Sequence, residues 1–125
     1  MIEHRLFTRF KVEGEGLIQY TATKPETVRM ELADMSFRGF GAYSPKPIEG
    51  NTNVKFYISG KIFGRHLRGE GKVMYSQKYR RKENDVFRVG VEFISVDSNL
   101  VRDTLELLRK KQANSAKEEE KLKEK

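Results

Sequence analysis

An all-β domain finished by a single helix is what this 125-residue sequence predicts, and three observations carry that expectation. Short segments alternate apolar and polar residues with the period of two that sends successive side chains to opposite faces of a sheet. Glycine-containing breaks separate these segments, a pattern of antiparallel barrels and sandwiches. After Phe93 the apolar spacing lengthens to that of a helix.

Six strands are expected, over 11–22, 27–34, 38–44, 52–59, 62–78 and 85–95. In the second, Val28, Met30 and Leu32 face one way while Arg29 and Glu31 face the other. Pro45 and Pro47 in "SPKPIEGN" mark a connection before the fourth strand, where Val54, Phe56 and Ile58 repeat the alternation. Val73 and Tyr75 are the inward candidates of the fifth strand, and "RRKEND" reads as a polar hairpin turn. Phe87, Val89, Val91 and Phe93 are the inward candidates of the sixth.

Asp97 or Ser98 can cap the helix that follows. Val101, Leu105 and Leu108 form its apolar stripe, broadened by Leu100, Thr104 and Leu107, and Arg109, Lys110 and Lys111 suit its negative C-terminal end. Such a stripe needs a partner, so the helix is expected to close one end of the strand assembly. One domain over 1–111 results. Residues 112–125, "QANSAKEEEKLKEK", have little to bury and read as a charged flexible tail or a frayed helical extension.

Composition bounds the function. Apolar residues make up 37% of the chain and no run approaches the ~20 residues that cross a bilayer, while "MIEHRLFTRF" lacks the apolar core of a signal peptide. A cytoplasmic protein without membrane insertion is the expectation. The absence of cysteine excludes disulfides, thiolate nucleophiles and Cys-ligated metal, and His4 and His66 stand in no ligand cluster, so no metal is expected. The net charge of +7 is unevenly placed: residues 41–82 carry ten basic and two acidic side chains, against six and six over 1–40 and nine and ten over 83–125. That middle stretch attracts polyanions without selecting one.

Function is written in two short motifs. Arg5 and Arg9 stand four apart in "HRLFTRF", and Asp34, Ser36 and Gly39 follow in "DMSFRG". A spacing of four keeps both guanidiniums on one side in a helical turn or an extended segment. Each guanidinium offers a planar fork for phosphate or the O6/N7 edge of guanine and a flat cation that stacks on purines. Asp34 and Ser36, two apart at a strand end, are expected to point the same way, the carboxylate accepting from a guanine N1/N2 edge or from arginine. Gly39 removes a side chain where a nucleotide would approach. A turn stabilised by Asp and Ser is the competing structural account. With eleven arginines, about one RxxxR arises by chance, whereas a DxSxxG is expected only about 0.02 times per chain.

The pair of motifs, in this order, together with "RVGVEFISVD" as a closing strand, resembles the PilZ domain, the bacterial receptor for cyclic di-GMP. The resemblance runs from Arg5 to the end of the helix near Lys111. It implies a six-stranded antiparallel β-barrel with a C-terminal α-helix, and a binding site outside the barrel. There Arg5 and Arg9 wrap the ligand, Asp34 and Ser36 hold a guanine and a phosphate, and Gly39 keeps the surface open. His4, preceding the first arginine, is the position that influences whether one or two cyclic di-GMP molecules bind. Arg38, by its place inside the second motif, is either a further contact or an exposed variable position. No catalysis is implied, and no cofactor beyond this ligand. An unidentified effector protein would receive the signal. Two alternatives remain: a small basic barrel that binds nucleic acid through Tyr57, Tyr75 and Tyr79, and an interaction module without nucleotide binding.

Overall fold

The computed structural model describes residues 8–81 and 83–123, with side chains as far as Gln112. Six strands, β1 (Phe10–Thr21), β2 (Pro25–Met35), β3 (Gly39–Ser44), β4 (Asn53–Ser59), β5 (Leu67–Arg81) and β6 (Asn84–Val96), precede one helix, α1 (Ser98–Lys123). The strands close into a barrel in the order β1-β2-β3-β6-β5-β4, every neighbouring pair antiparallel. Closure pairs each strand on both sides through the barrel wall, and the β5–β6 hairpin projects beyond it, pairing on to Arg81 and Asn84.

Alternation decides which residues fill the barrel. Val28, Met30 and Leu32 of β2, Val54, Phe56 and Ile58 of β4, and Val89 and Val91 of β6 are all buried, as their spacing predicts. Phe40 meets Phe56 edge-on with ring centroids 5.1 Å apart, and Phe93 tilts against both at 6.0 and 5.6 Å. Burying each such ring contributes about 2–3 kcal/mol.

The two barrel ends are sealed differently. Because β3 does not neighbour β4, residues 45–52 cross one end, and Ile48 is drawn from that loop into the core. Ser44 fixes the start of the loop, its hydroxyl donating to the Lys46 carbonyl at 2.7 Å. At the opposite end α1 lies against β1 and a short 3-10 helix, Lys61–Phe63. Asp97 is the cap: its carboxylate accepts from the Leu100 N–H at 3.1 Å and pairs with Arg65 at 2.8 Å. Val101, Thr104, Leu105 and Leu108 are buried beneath the helix.

Four expectations need correction. The fifth strand begins at Leu67, not 62, because Lys61–Phe63 winds into the 3-10 helix and Gly64 turns the chain out of it at φ 68. Tyr75 is not inward: β5 slips register between Val73 and Tyr75, leaving Met74 and Tyr75 both on the outside. Leu107 is 51% exposed and does not widen the buried stripe. Helix α1, expected to end near Lys111, runs on to Lys123, the helical extension that the tail's composition left open, through a stretch rich in alanine, glutamate and lysine.

Candidate functional site

An irregularity in β2 creates the site. Continued alternation from Val28, Met30 and Leu32 would send Asp34 into the core. Instead the β2–β3 register slips, so that Leu32 stands opposite Ala42 but Asp34 opposite Gly41. The extra residue, Ala33, returns Met35 to the interior and leaves Asp34 at the outer surface, 17% exposed. Its neighbour on β1 is the exposed Lys11.

Two guanidiniums meet this carboxylate. Arg9, just before β1, places Nη1 2.8 Å from Asp34 Oδ1, joining the two sequence motifs across 25 residues. Arg88, in the middle of β6, donates through Nη2 to Asp34 Oδ2. Gly41 makes room for this second pair: a Cβ there would lie 2.6 Å from Arg88 Nη2 and 2.7 Å from Asp34 Oδ1. Its cross-strand partner Gly90 does the same for Tyr75, whose ring Cε1 would be 2.3 Å from a Cβ. Burial pulls the Arg88 pKa down, but the Asp34 charge and hydrogen bonding to Tyr75 and Asp34 outweigh it, so the guanidinium is held above its ordinary value. It stays charged at any physiological pH.

Around this pair the outer face is cationic and aromatic. The Tyr43 ring has Arg81 4.7 Å and Arg88 5.1 Å from its centroid, and Tyr79 tilts against it at 5.7 Å. Arg81 is itself paired with Glu31 at 2.7 Å. Tyr43, Tyr79, Asp34 and Arg88 line an open groove of about 1540 Å³ that continues past Lys11 to the middle of α1 at Leu108 and Lys111.

The second motif behaves differently from Asp34. Ser36 is 2% exposed, and its hydroxyl accepts from the Arg38 N–H at 3.2 Å while its own N–H donates to the Gly39 carbonyl at 2.8 Å. The expected common direction of Asp34 and Ser36 is therefore not met: β2 ends at Met35, and Ser36 is enclosed in the turn that follows. Gly39 does not face an open surface either. A Cβ there would lie 2.0 Å from the Val91 carbonyl oxygen of β6, so the missing side chain permits close approach of two strands. Arg38 reaches Glu92 at 3.5 Å, and its carbonyl accepts from the Phe93 N–H at 2.8 Å. Arg5 and His4 lie outside the described residues.

Sequence reasoning missed Arg88, Tyr43, Gly41 and Gly90. Alternation around the buried Val89 and Val91 does put Arg88 on the outer face, but its partner Asp34 is 54 residues away and meets it only because β3 and β6 are neighbours. Among the described residues no group of three His, Cys, Asp or Glu side chains gathers to hold a metal, and no helix is long and apolar enough to cross a membrane.

The described residues thus form a closed six-stranded antiparallel barrel whose outer wall carries a carboxylate between two guanidiniums. The chain belongs to the PilZ domain family, whose model matches residues 3–110. No curated protein sequence matches it. Among solved structures, the PilZ domain with c-di-GMP of YcgR from Escherichia coli is similar at 13% identity and TM-score 0.64, over 88% of this chain and 95% of that one. K. pneumonia MrkH in a 2.65 Å P2(1) crystal matches at 10% identity and TM-score 0.66, over 87% of this chain and 48% of that one. MrkH in its apo state matches at 10% identity and TM-score 0.66, over 89% and 51%. The chain thus spans about half the length of MrkH. At such identities the likeness concerns the fold.

Proposed function

We propose that this chain is a non-catalytic receptor for cyclic di-GMP, bound on the outer face of the barrel by Arg5, Arg9 and Asp34. The observation that carries the proposal is the Arg9–Asp34 contact at 2.8 Å, in which the second arginine of one motif meets the first residue of the other. Family membership and the c-di-GMP in the YcgR PilZ domain supply the ligand. In this proposal Arg5 and Arg9 grip phosphate or the guanine O6/N7 edge, and Asp34 accepts from guanine N1 and N2. Ser36 and Gly39 set the turn and the strand approach that place Asp34, and Arg38 and His4 are flanking contacts whose part includes the choice between one and two ligands.

Ligand capture draws residues 1–10 against the barrel and presents a changed surface to an effector. Amide exchange in that segment with and without ligand tests this step, and equal protection in both states would sink it.

Isothermal titration of the purified chain with cyclic di-GMP, with GTP, cyclic di-AMP and single-stranded RNA as controls, tests the receptor function itself. Selective micromolar or tighter binding is expected, with one or two ligands per chain. Absence of binding, or equal binding of RNA that collapses with added salt, would move the protein to the interaction-module or nucleic-acid class.

A further inference from the structure

The two guanidiniums on Asp34 are not equivalent. Arg88 sits mid-strand, flanked by Tyr43 of β3 and Gln77 of β5, and its side chain is 22% exposed. The Tyr43 ring lies against its guanidinium, and Gly41 leaves the space that guanidinium occupies. Arg9 instead precedes the first strand and is 46% exposed. One partner is built into the barrel wall and the other is attached only through the start of β1. They also use different oxygens of Asp34, Oδ2 for Arg88 and Oδ1 for Arg9.

We propose that Arg88 is a positioning residue: it holds Asp34 by Oδ2 on the outer face, so that Oδ1 is a seat that Arg9 occupies without ligand and yields to the donor edge of a bound guanine. The proposal rests on the receptor function above. Its physical basis is the inequality just described. An anion arriving at the groove competes for Arg9, which gives up a half-exposed ion pair of the kind worth little in water. Without Arg88, the departing Arg9 would leave the carboxylate with no fixed partner and free to rotate. With Arg88 in place, the charge and direction of Asp34 persist through the exchange, and the ligand meets an acceptor already set in place.

The test is titration calorimetry with cyclic di-GMP on the full chain and on Arg88→Gln, Arg88→Lys, Asp34→Asn and the Asp34→Asn/Arg88→Gln double variant, each checked by thermal unfolding. Arg88→Gln should weaken binding tenfold or more, and Arg88→Lys, which restores the charge without the fork, should recover part of the loss. In the Asp34→Asn background the same Arg88→Gln change should cost less than threefold, because its effect runs through a carboxylate no longer present. A residue with a merely structural role would cost the same in both backgrounds, and so would a residue gripping the ligand directly. Either result overturns the proposal, as does wild-type affinity in Arg88→Gln. If Arg88→Gln fails to fold, the Arg88→Lys and Asp34→Asn/Arg88→Lys pair carries the same comparison. A wild-type chain that does not bind cyclic di-GMP defeats the receptor function and this inference with it, whereas a binding wild type with unaffected Arg88 variants defeats the inference alone.

Discussion

Replacing Gly39 by alanine separates two explanations of the second motif. If the glycine only keeps a surface open for ligand, Gly39→Ala leaves stability intact and abolishes binding. The geometry argues otherwise. A Cβ at Gly39 would lie 2.0 Å from the Val91 carbonyl oxygen and 3.0 Å from the Glu92 Cα, both backbone atoms of β6. A carbon and a carbonyl oxygen do not approach much below ~3.3 Å, so β3 and β6 must part by about 1.3 Å at this pair. Two backbone hydrogen bonds flank the position, Ser36 N–H to Gly39 carbonyl and Phe93 N–H to Arg38 carbonyl, each 2.8 Å. Parting the strands breaks the second of these, at about 1 kcal/mol, and overpacking adds about 1–3 kcal/mol. Gly39 is not among the described residues with positive φ, so alanine recovers about 0.4–1 kcal/mol from the unfolded chain. A net loss of about 1–3.5 kcal/mol results, equivalent to roughly a 5–15 °C fall in Tm for a domain of this size.

Urea unfolding followed by far-UV circular dichroism measures this directly, since the chain has five tyrosines and no tryptophan for fluorescence. Gly41→Ala is the control, because its Cβ would meet the ends of the Arg88 and Asp34 side chains, which can swing aside. It should change the urea midpoint little and weaken ligand binding. A Gly39→Ala midpoint equal to wild type would refute the close-approach account.

Further outcomes follow from other parts of the structure. Arg9→Ala should weaken cyclic di-GMP binding in calorimetry by about 2–5 kcal/mol with an unchanged melting curve, since it removes a charged ligand contact from a half-exposed side chain. Asp97→Ala removes the cap of α1 and should cost about 1 kcal/mol in urea unfolding. Phe56→Ala empties the centre of the aromatic cluster and should cost about 3–5 kcal/mol, a large share of a domain's stability, read as a lower urea midpoint. Glu26 is held below its ordinary pKa mainly by the hydrogen bond from Lys46 at 2.9 Å. A lowered folded pKa means stability present above the unfolded value and lost as pH falls through the folded one. Glu26→Gln should therefore be the less stable protein at neutral pH, and the gap should close in acid.

Much of the barrel was legible because period and burial agree. Val54, Phe56 and Ile58 need only two-residue alternation to be placed inward, and the Asp97 cap needs only its position before an apolar stripe. The end of α1 was less legible because lysine and glutamate favour a helix and a solvated tail alike. Leu107 was misplaced because a stripe drawn around a helix does not say where its partner stops. Of the site, the sequence left Asp34 to accept from a guanine edge or from an arginine, and the contact with Arg9 is of the second kind. Arg88 was not readable, since nothing local reports which strand becomes a neighbour after the chain crosses the barrel end.

Two departures from alternation share a physical source. Strict alternation predicts an inward Asp34 on β2 and an inward Tyr75 on β5, and both residues stand outside because the strand slips register just before them. An inward Asp34 would place a charge among Met35, Phe40 and Val91, where no cation waits and desolvation would be severe. The bulge at Ala33 therefore does two things at once: it keeps the barrel interior apolar, and it delivers the carboxylate to Arg9 and Arg88. The slip before Tyr75 lays that ring over Gly90, beside Arg88. At these two slips the residues set free, Asp34 and Tyr75, are ones that build the outer site, as expected if local regularity yields to function there.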